Sequence, residues 1–311
     1  MTRNKIVVLA TGGTIAGTAA NAHDTLGYSA AQLGVEDLLS SVPGLDGFDV
    51  TAEQVAQVDS KDMSFEIWRD LALRCAHWLA QTEVQGIVVT HGTDTLEETA
   101  YFLQAVFAPS KPIVFACAMR PATALLADGP QNLADAIAVA ATPGARGVMA
   151  VCASQVHAAL NVAKRHPYLL DAFESGEAGP IAFVENGQLR QVNDWPAAGD
   201  GAVENFKKVE RAVLWPRVEI VMNYAGASAA TVDALVAQGV DGIVAAGTGN
   251  GTLHNQLAAA LLRAKSAGVQ VIRSTRCAQG RVLGGVDGGL PDSAGLSPVK
   301  ARIALMLTLM R

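Results

Sequence analysis

The strongest constraint on how this chain can fold is a series of short apolar runs, several of which break abruptly at turns of glycine and small polar residues. Residues 6–10, 86–90, 112–118 and 147–152 are dominated by valine, isoleucine and alanine, without polar alternation. Strands covered on both faces read this way, because neither side meets water, and such strands usually run parallel. Between the second and third runs lies TDTLEETAYFLQAVF, in which Leu96, Thr99, Ala100, Leu103 and Phe107 recur at helical spacing. Glu97 and Glu98 stand at its amino end, where the helix dipole favours negative charge. Strand, helix and strand make a βαβ unit with a right-handed crossover expected.

The remainder extends this pattern into a second layer. Residues 182–184 and 188–192 flank Glu185-Asn186-Gly187, a pair of strands with an Asn-Gly turn. The stretch 193–216, with Pro196, Gly199 and Gly201 among mixed charges and little periodicity, reads as a crossing between domains. Beyond it, runs at 218–222, 242–246 and 269–273 alternate with helical stretches. One of these, 254–267, aligns Leu257, Leu261 and Ala264 on one side. Ser297-Pro298 reads as cap and first position of a closing helix. The expectation is an α/β protein with a larger, mainly parallel amino-terminal domain over 1–192, a linker over 193–216 and a smaller parallel α/β domain over 217–311. A chain of 311 residues accommodates two such cores.

Charge and cysteine content exclude several function classes. A net charge of -6 gives no general attraction for nucleic acid. The tight basic cluster, Lys207, Lys208 and Arg211, is interleaved with Glu204 and Glu210 and reads as a solvated face. Cys75, Cys117, Cys152 and Cys277 are too dispersed for a disulfide scaffold or zinc site, so reduced, buried thiols are expected. The six histidines are scattered, and neither a metal nor a cofactor is expected. The apolar run at 6–10 is too short for a signal peptide, and no segment reaches membrane-spanning length, so a cytoplasmic location is expected.

Chemistry is expected beyond the carboxyl ends of the strands, where ligands collect in open α/β sheets. The first run leads into Thr11-Gly12-Gly13-Thr14-Ile15-Ala16-Gly17. Its glycines permit a sharp turn that presents N–H groups, and its threonines supply hydroxyls. It has neither dinucleotide-loop spacing nor a phosphate-loop lysine, and on these grounds a ligand loop and a structural turn are equally open. The second run leads into Thr90-His91-Gly92-Thr93-Asp94-Thr95, where Asp94 either caps the helix or meets an ammonium group. His91 is either a base or a structural residue facing the sheet.

Thr-Gly-Gly-Thr-Ile-Ala-Gly at 11–17 and His-Gly-Thr-Asp-Thr-Leu-Glu-Glu-Thr at 91–99 together resemble the two signatures of the bacterial-type L-asparaginase/glutaminase family. The likeness spans nearly the whole chain. It includes Val58-Asp59-Ser60-Lys61-Asp62-Met63, Asp171-Ala172-Phe173, Gly247-Thr248-Gly249-Asn250-Gly251 and the closing Leu296-Ser297-Pro298-Val299-Lys300-Ala301-Arg302. The resemblance implies an asparaginase-like two-domain fold and hydrolysis of L-asparagine to L-aspartate and ammonia through a threonine-linked acyl-enzyme. It implies Thr14 as nucleophile, with Tyr28 closing beside it. It also implies a triad of Thr93, Asp94 and Lys164, with Ser60 and Lys61 at the substrate α-carboxylate. Gly13 and Gly92 belong to the same two turns, and Asn250 corresponds to a residue lent by a neighbouring subunit in a homotetramer of intimate dimers. Residues 16–27 are expected to form a lid. Free L-asparagine and L-aspartate are the implied ligands, without nucleic acid or membrane. A dual asparaginase/glutaminase and a non-catalytic amino-acid sensor are the alternatives.

Three positions depart from the family pattern. Lys61 stands where glutamine or glutamate is common. The lid contains Ala19, Ala20 and His23 in place of hydroxyls. The segment after Arg276, through Gly280 and Gly284-Gly285 to Pro291, is short, and against the family pattern it reads as lacking the acidic residue that many exported members lend to an adjacent site.

Overall fold

A computed structural model describes residues 5–197, 202–284 and 289–311, which fall into two units, 1–210 and 211–311. In the first, β1 (Lys5–Gly12), β2 (Asp49–Val58), β3 (Val84–Thr90), β4 (Pro112–Ala116) and β5 (Gly147–Cys152) run parallel in the spatial order β5-β4-β3-β1-β2. β6 (Gln155–Ala158) turns back antiparallel beside β5. β7 (Ala163–Lys164) and β8 (Phe173–Glu174) pair as a separate ribbon. β9 (Ala182–Glu185) and β10 (Gln188–Gln191) extend the sheet from β6 around the expected Asn186-Gly187 turn.

Alternation along the strands divides the core into two faces. Ile6, Val8, Ala10, Val88 and Val114 pack with residues of α1 (Val35–Ser40) and α4 (Gly129–Ala140). Val7, Leu9, Ile87 and Val89 are as fully buried and point the other way, toward α2 (Phe65–Leu79) and α3 (Leu96–Phe107). There Trp68 stacks on Phe102 at 4.7 Å, and its indole N–H donates to Thr99 Oγ1 at 2.9 Å. Each such side chain taken from water contributes roughly 1.5–3 kcal/mol, and the indole bond removes the penalty of a buried donor.

Two expectations change. β2 has no counterpart among the apolar runs. It is an edge strand that carries Glu53, Gln54 and Gln57 among smaller residues, and Glu53 pairs with Arg74 of α2. The supposed linker also contains a helix, α5 (Ala202–Arg211), which belongs to the first unit up to Glu210. Its apolar face is small: Phe206 meets Phe107 at 5.2 Å, Val209 is buried, and Asn205 donates to the Ala105 carbonyl. Gly199 and Gly201 lie outside the described residues.

In the second unit β11 (Val218–Met222), β12 (Gly242–Gly247) and β13 (Gln270–Thr275) form a parallel sheet in sequence order. α6 (Ala230–Ala237) and α7 (Asn255–Ser266) share its core through Val232, Leu257, Leu261 and Ala264. α8 (Pro298–Leu309) begins with Pro298 as expected, although the Ser297 hydroxyl makes no cap bond. Among the described residues no helix is long and apolar enough to cross a membrane.

The strand order places the chemistry. From β1 the chain moves to β2 on one side and later to β3 on the other, so the connections leaving β1 and β3 diverge and open a crevice at their carboxyl ends.

Candidate active site

Three strand ends meet at this crevice. Thr11 Oγ1 donates to the Thr90 carbonyl at 2.9 Å, tying the end of β1 to that of β3. Gly13 follows with φ 85°, a conformation open to glycine without steric penalty, and its N–H donates to the Val58 carbonyl at the end of β2. A Cβ on Gly13 would lie inside the contact surface of the Gly92 backbone, and one on Gly92 would come within 2.5 Å of Ser60 Oγ. Gly13, Gly92 and Ser60 are thus packed against one another, and Thr14 and Thr93 each follow one of the touching glycines.

The two threonines have different partners. Thr14, 7% exposed, has its Oγ1 2.7 Å from the Tyr28 hydroxyl, where either group can donate. Thr93, 6% exposed, accepts from Lys164 Nζ at 2.8 Å, and the same ammonium donates to Asp94 Oδ1 at 2.7 Å. The Lys164 side chain is 17% exposed and that of Asp94 54%, so the triad is sheltered at the lysine and open to solvent at the carboxylate. The Asp94 N–H donates to Ser60 Oγ at 3.2 Å, leaving the serine proton for another acceptor, and Thr95 Oγ1 donates to the Ser60 carbonyl at 2.7 Å. Asp94 therefore ion-pairs with Lys164, and the N-cap position of α3 belongs to Thr95. Lys164 lies on β7.

Two expected residues have polar partners of their own. Lys61 folds back within its own turn: its side chain is 61% exposed and its ammonium meets Asp62 at 2.5 Å and Asp59 at 3.4 Å. Asn250 belongs to the second unit, where its side chain spans the Leu283 backbone, accepting at 2.7 Å and donating at 3.3 Å. Gly285, in the segment after Arg276, lies outside the described residues.

His91 is a structural residue. It is fully buried against Phe115, its Nδ1 lies 2.7 Å from the Gly92 carbonyl, and burial pushes its pKa down to about 4. It supports the glycine turn as a neutral ring. Beside the site, Cys117 carries a thiol raised well above its ordinary range by the hydrogen bond to Cys152 and by burial. Cys75, Cys117 and Cys152 are buried free thiols, whereas Cys277, expected to be buried, is exposed. Among the described residues no group of three or more His, Cys, Asp or Glu is placed to hold a metal ion.

Some supporting residues had no signal in the motifs. Asp128 accepts from the Met119 and Arg120 N–H groups at 2.9 Å, while Asn132 donates to the Cys117 carbonyl. Together they fix the chain leaving β4. Glu97, expected only to favour the helix dipole, also accepts from the Lys164 backbone N–H at 3.4 Å.

Residues 5–196 match the family model described as "Asparaginase, N-terminal", and residues 217–311 match "Glutaminase/Asparaginase C-terminal domain". L-asparaginase 2 of Bacillus subtilis (strain 168) is 39% identical over 315 residues, covering 98% of this chain and 82% of that protein. A glutaminase-asparaginase of Pseudomonas fluorescens biotype A is 39% identical over 318 residues, covering 98% and 86%. The crystal structure of a probable cytoplasmic L-asparaginase from Campylobacter jejuni superposes with a TM-score of 0.92 at 35% identity, covering 99% of this chain and 96% of that one.

Proposed function

The chain belongs to the bacterial-type asparaginase/glutaminase family, and on that premise we propose that it hydrolyses free L-asparagine to L-aspartate and ammonia through an ester on Thr14. The observation that carries this reading is the contact between the two glycine turns. It brings the Thr14–Tyr28 pair and the Thr93–Lys164–Asp94 triad to one crevice.

An alcohol attacks an amide poorly unless a neighbour takes its proton and the geometry is restrained. Thr14 Oγ1 attacks the side-chain carbonyl carbon while its proton passes to the Tyr28 hydroxyl and on to the amide nitrogen, which leaves as ammonia. The oxygen of the tetrahedral intermediate takes hydrogen bonds from the Thr93 N–H and a water. Losing one such donor costs about 3–4 kcal/mol. Water then attacks the ester. Thr93, held by Lys164, relays the proton that this water loses, and Thr14 is regenerated as aspartate departs.

The same groups select the substrate. The exposed side of Asp94 meets the α-ammonium, and the Ser60 proton meets the α-carboxylate. A peptide-bonded asparagine has lost that positive charge and is excluded. Lys61 has its ammonium engaged by Asp59 and Asp62, so the α-carboxylate is left to Ser60. Asn250 of a neighbouring subunit completes the pocket in a homotetramer of intimate dimers, working in the cytoplasm. Because one methylene is worth only about 1–3 kcal/mol in discrimination, glutamine is a competing substrate. The relative named glutaminase-asparaginase supports that second activity.

The test is ammonia release from asparagine and glutamine by the intact protein and by Thr14→Val, which keeps the shape and removes the hydroxyl. The expected result is turnover of asparagine by the wild type and its loss in the folded variant. Near-normal turnover by Thr14→Val contradicts the nucleophile. Tight binding of asparagine by the wild type without ammonia release favours the sensor.

A further inference from the structure

The segment expected to form the lid is bonded to chain segments remote in sequence. Its strap is closed at the base by an antiparallel bridge between Thr18 and Ser29. It is shaped inside by the Asp24 carboxylate, which accepts from the Leu26 and Gly27 N–H groups at 3.0 and 2.7 Å. The segment after β4 holds one flank: the Ala19 N–H donates to Thr123 Oγ1 at 2.8 Å, and the Leu125 N–H to the Ala22 carbonyl at 3.1 Å. At the far end the Thr25 hydroxyl lies 2.9 Å from the Tyr168 hydroxyl, across 143 residues of sequence.

Tyr168 stands in the loop between β7 and β8, shortly after Lys164. That loop has its own rigid frame. His166 Nδ1 accepts from the N–H groups of Tyr168 and Leu169 at 3.0 and 2.9 Å, and Arg165 pairs with Asp171. Thr25, on the lid, precedes Tyr28 by three residues. One hydroxyl–hydroxyl bond therefore joins the segment that brings Tyr28 to Thr14 with the segment that brings Lys164 to Thr93. Tyr168 is 55% exposed, so core packing does not account for its position. A bond in such an exposed place is weak enough to open for each substrate and to reform over it.

We propose that Tyr168 is a positioning residue for the hydrolysis: by holding Thr25 it keeps the lid shut and Tyr28 on Thr14 while the ester forms and breaks. This rests on the reading of Thr14 as nucleophile and adds the residue that controls how long Tyr28 stays beside it. Loss of either hydroxyl opens the same catch, so the effects of removing both do not add.

The experiment compares Tyr168→Phe, Thr25→Val, the double variant and Thr25→Ser, using kcat and KM for asparagine together with amide hydrogen exchange across residues 18–28. The expected result is a fall in kcat/KM of about 2- to 10-fold in either single variant, in line with one hydrogen bond. The double variant is no worse than the poorer single one, and Thr25→Ser retains activity. Exchange in the strap quickens in Tyr168→Phe, Thr25→Val and the double variant. An active wild type whose kinetics and strap exchange are unchanged by Tyr168→Phe overturns the catch and leaves the function intact, and so do additive losses in the double variant. Quickened exchange in a wild-type background that releases no ammonia retains the catch as a structural contact and overturns both the hydrolysis and the positioning role built on it.

Discussion

Replacing Lys164 by methionine separates catalysis from folding. Methionine keeps most of the side chain's length and apolar stem, and removes the ammonium that donates to Thr93 Oγ1 at 2.8 Å and to Asp94 Oδ1 at 2.7 Å. The stability cost is small because the Asp94 side chain is 54% exposed and water takes over much of its solvation. An ion pair discounted for that exposure is worth about 0–1 kcal/mol. The catalytic cost is larger, since a positioned acid or base contributes roughly 10²–10⁴-fold, or about 3–5 kcal/mol of barrier. Ammonia release and urea unfolding on the same preparation read the two quantities. The expected outcome is at least a hundredfold loss of kcat with an unfolding midpoint close to wild type. A loss of less than tenfold, or one that follows the fraction unfolded, refutes the role given to Lys164.

Two further predictions concern the scaffold. Gly13→Ala destabilises the first unit more than Gly44→Ala. Both positions have positive φ, where a side chain costs about 1–3 kcal/mol, but only at Gly13 would the new Cβ strike the Gly92 backbone, whereas Gly44 faces open space. Equal midpoints in urea would contradict the packed turns. Stability also falls with acidification between about pH 6.5 and pH 4. His91 and His157 are both held down to about 4 by burial, so over that window the unfolded chain takes up protons that the folded one refuses. At full effect each costs roughly 3 kcal/mol. His157→Gln is expected to flatten the pH dependence of the unfolding free energy, and an unchanged slope would show that the ring takes up its proton as readily in the fold as in the unfolded chain.

Much of the architecture was legible because burial on both faces leaves a local trace. β1, β3, β4 and β5 read directly as unbroken apolar runs, and α3 as a helix through its spacing. β2 did not, because an edge strand needs only one well-covered side and its polar residues hide the pattern. α5 was hidden for a related reason: Phe206 and Val209 are a small apolar face among charges, and the partner that buries it, Phe107, is remote in sequence. At the site the two threonine strings were conspicuous, but their meeting depends on the placement of β1 beside β3, which no local pattern specifies. The fate of Lys61 was likewise invisible. Its neighbours Asp59 and Asp62 are evident in sequence, yet only the three-residue turn at Ser60–Asp62 shows that they take up its charge. Tyr168 carried no motif at all, since its one informative contact is an exposed bond to the lid.

The most direct measurement is a crystal structure of the protein with L-aspartate. One ligand should bridge both turns, its side-chain carboxyl carbon about 3–3.5 Å from Thr14 Oγ1, within reach of attack. Its ammonium should meet Asp94 and its α-carboxylate Ser60. Aspartate bound elsewhere, or Thr14 and the Thr93–Asp94–Lys164 group opening into different cavities, would contradict the account.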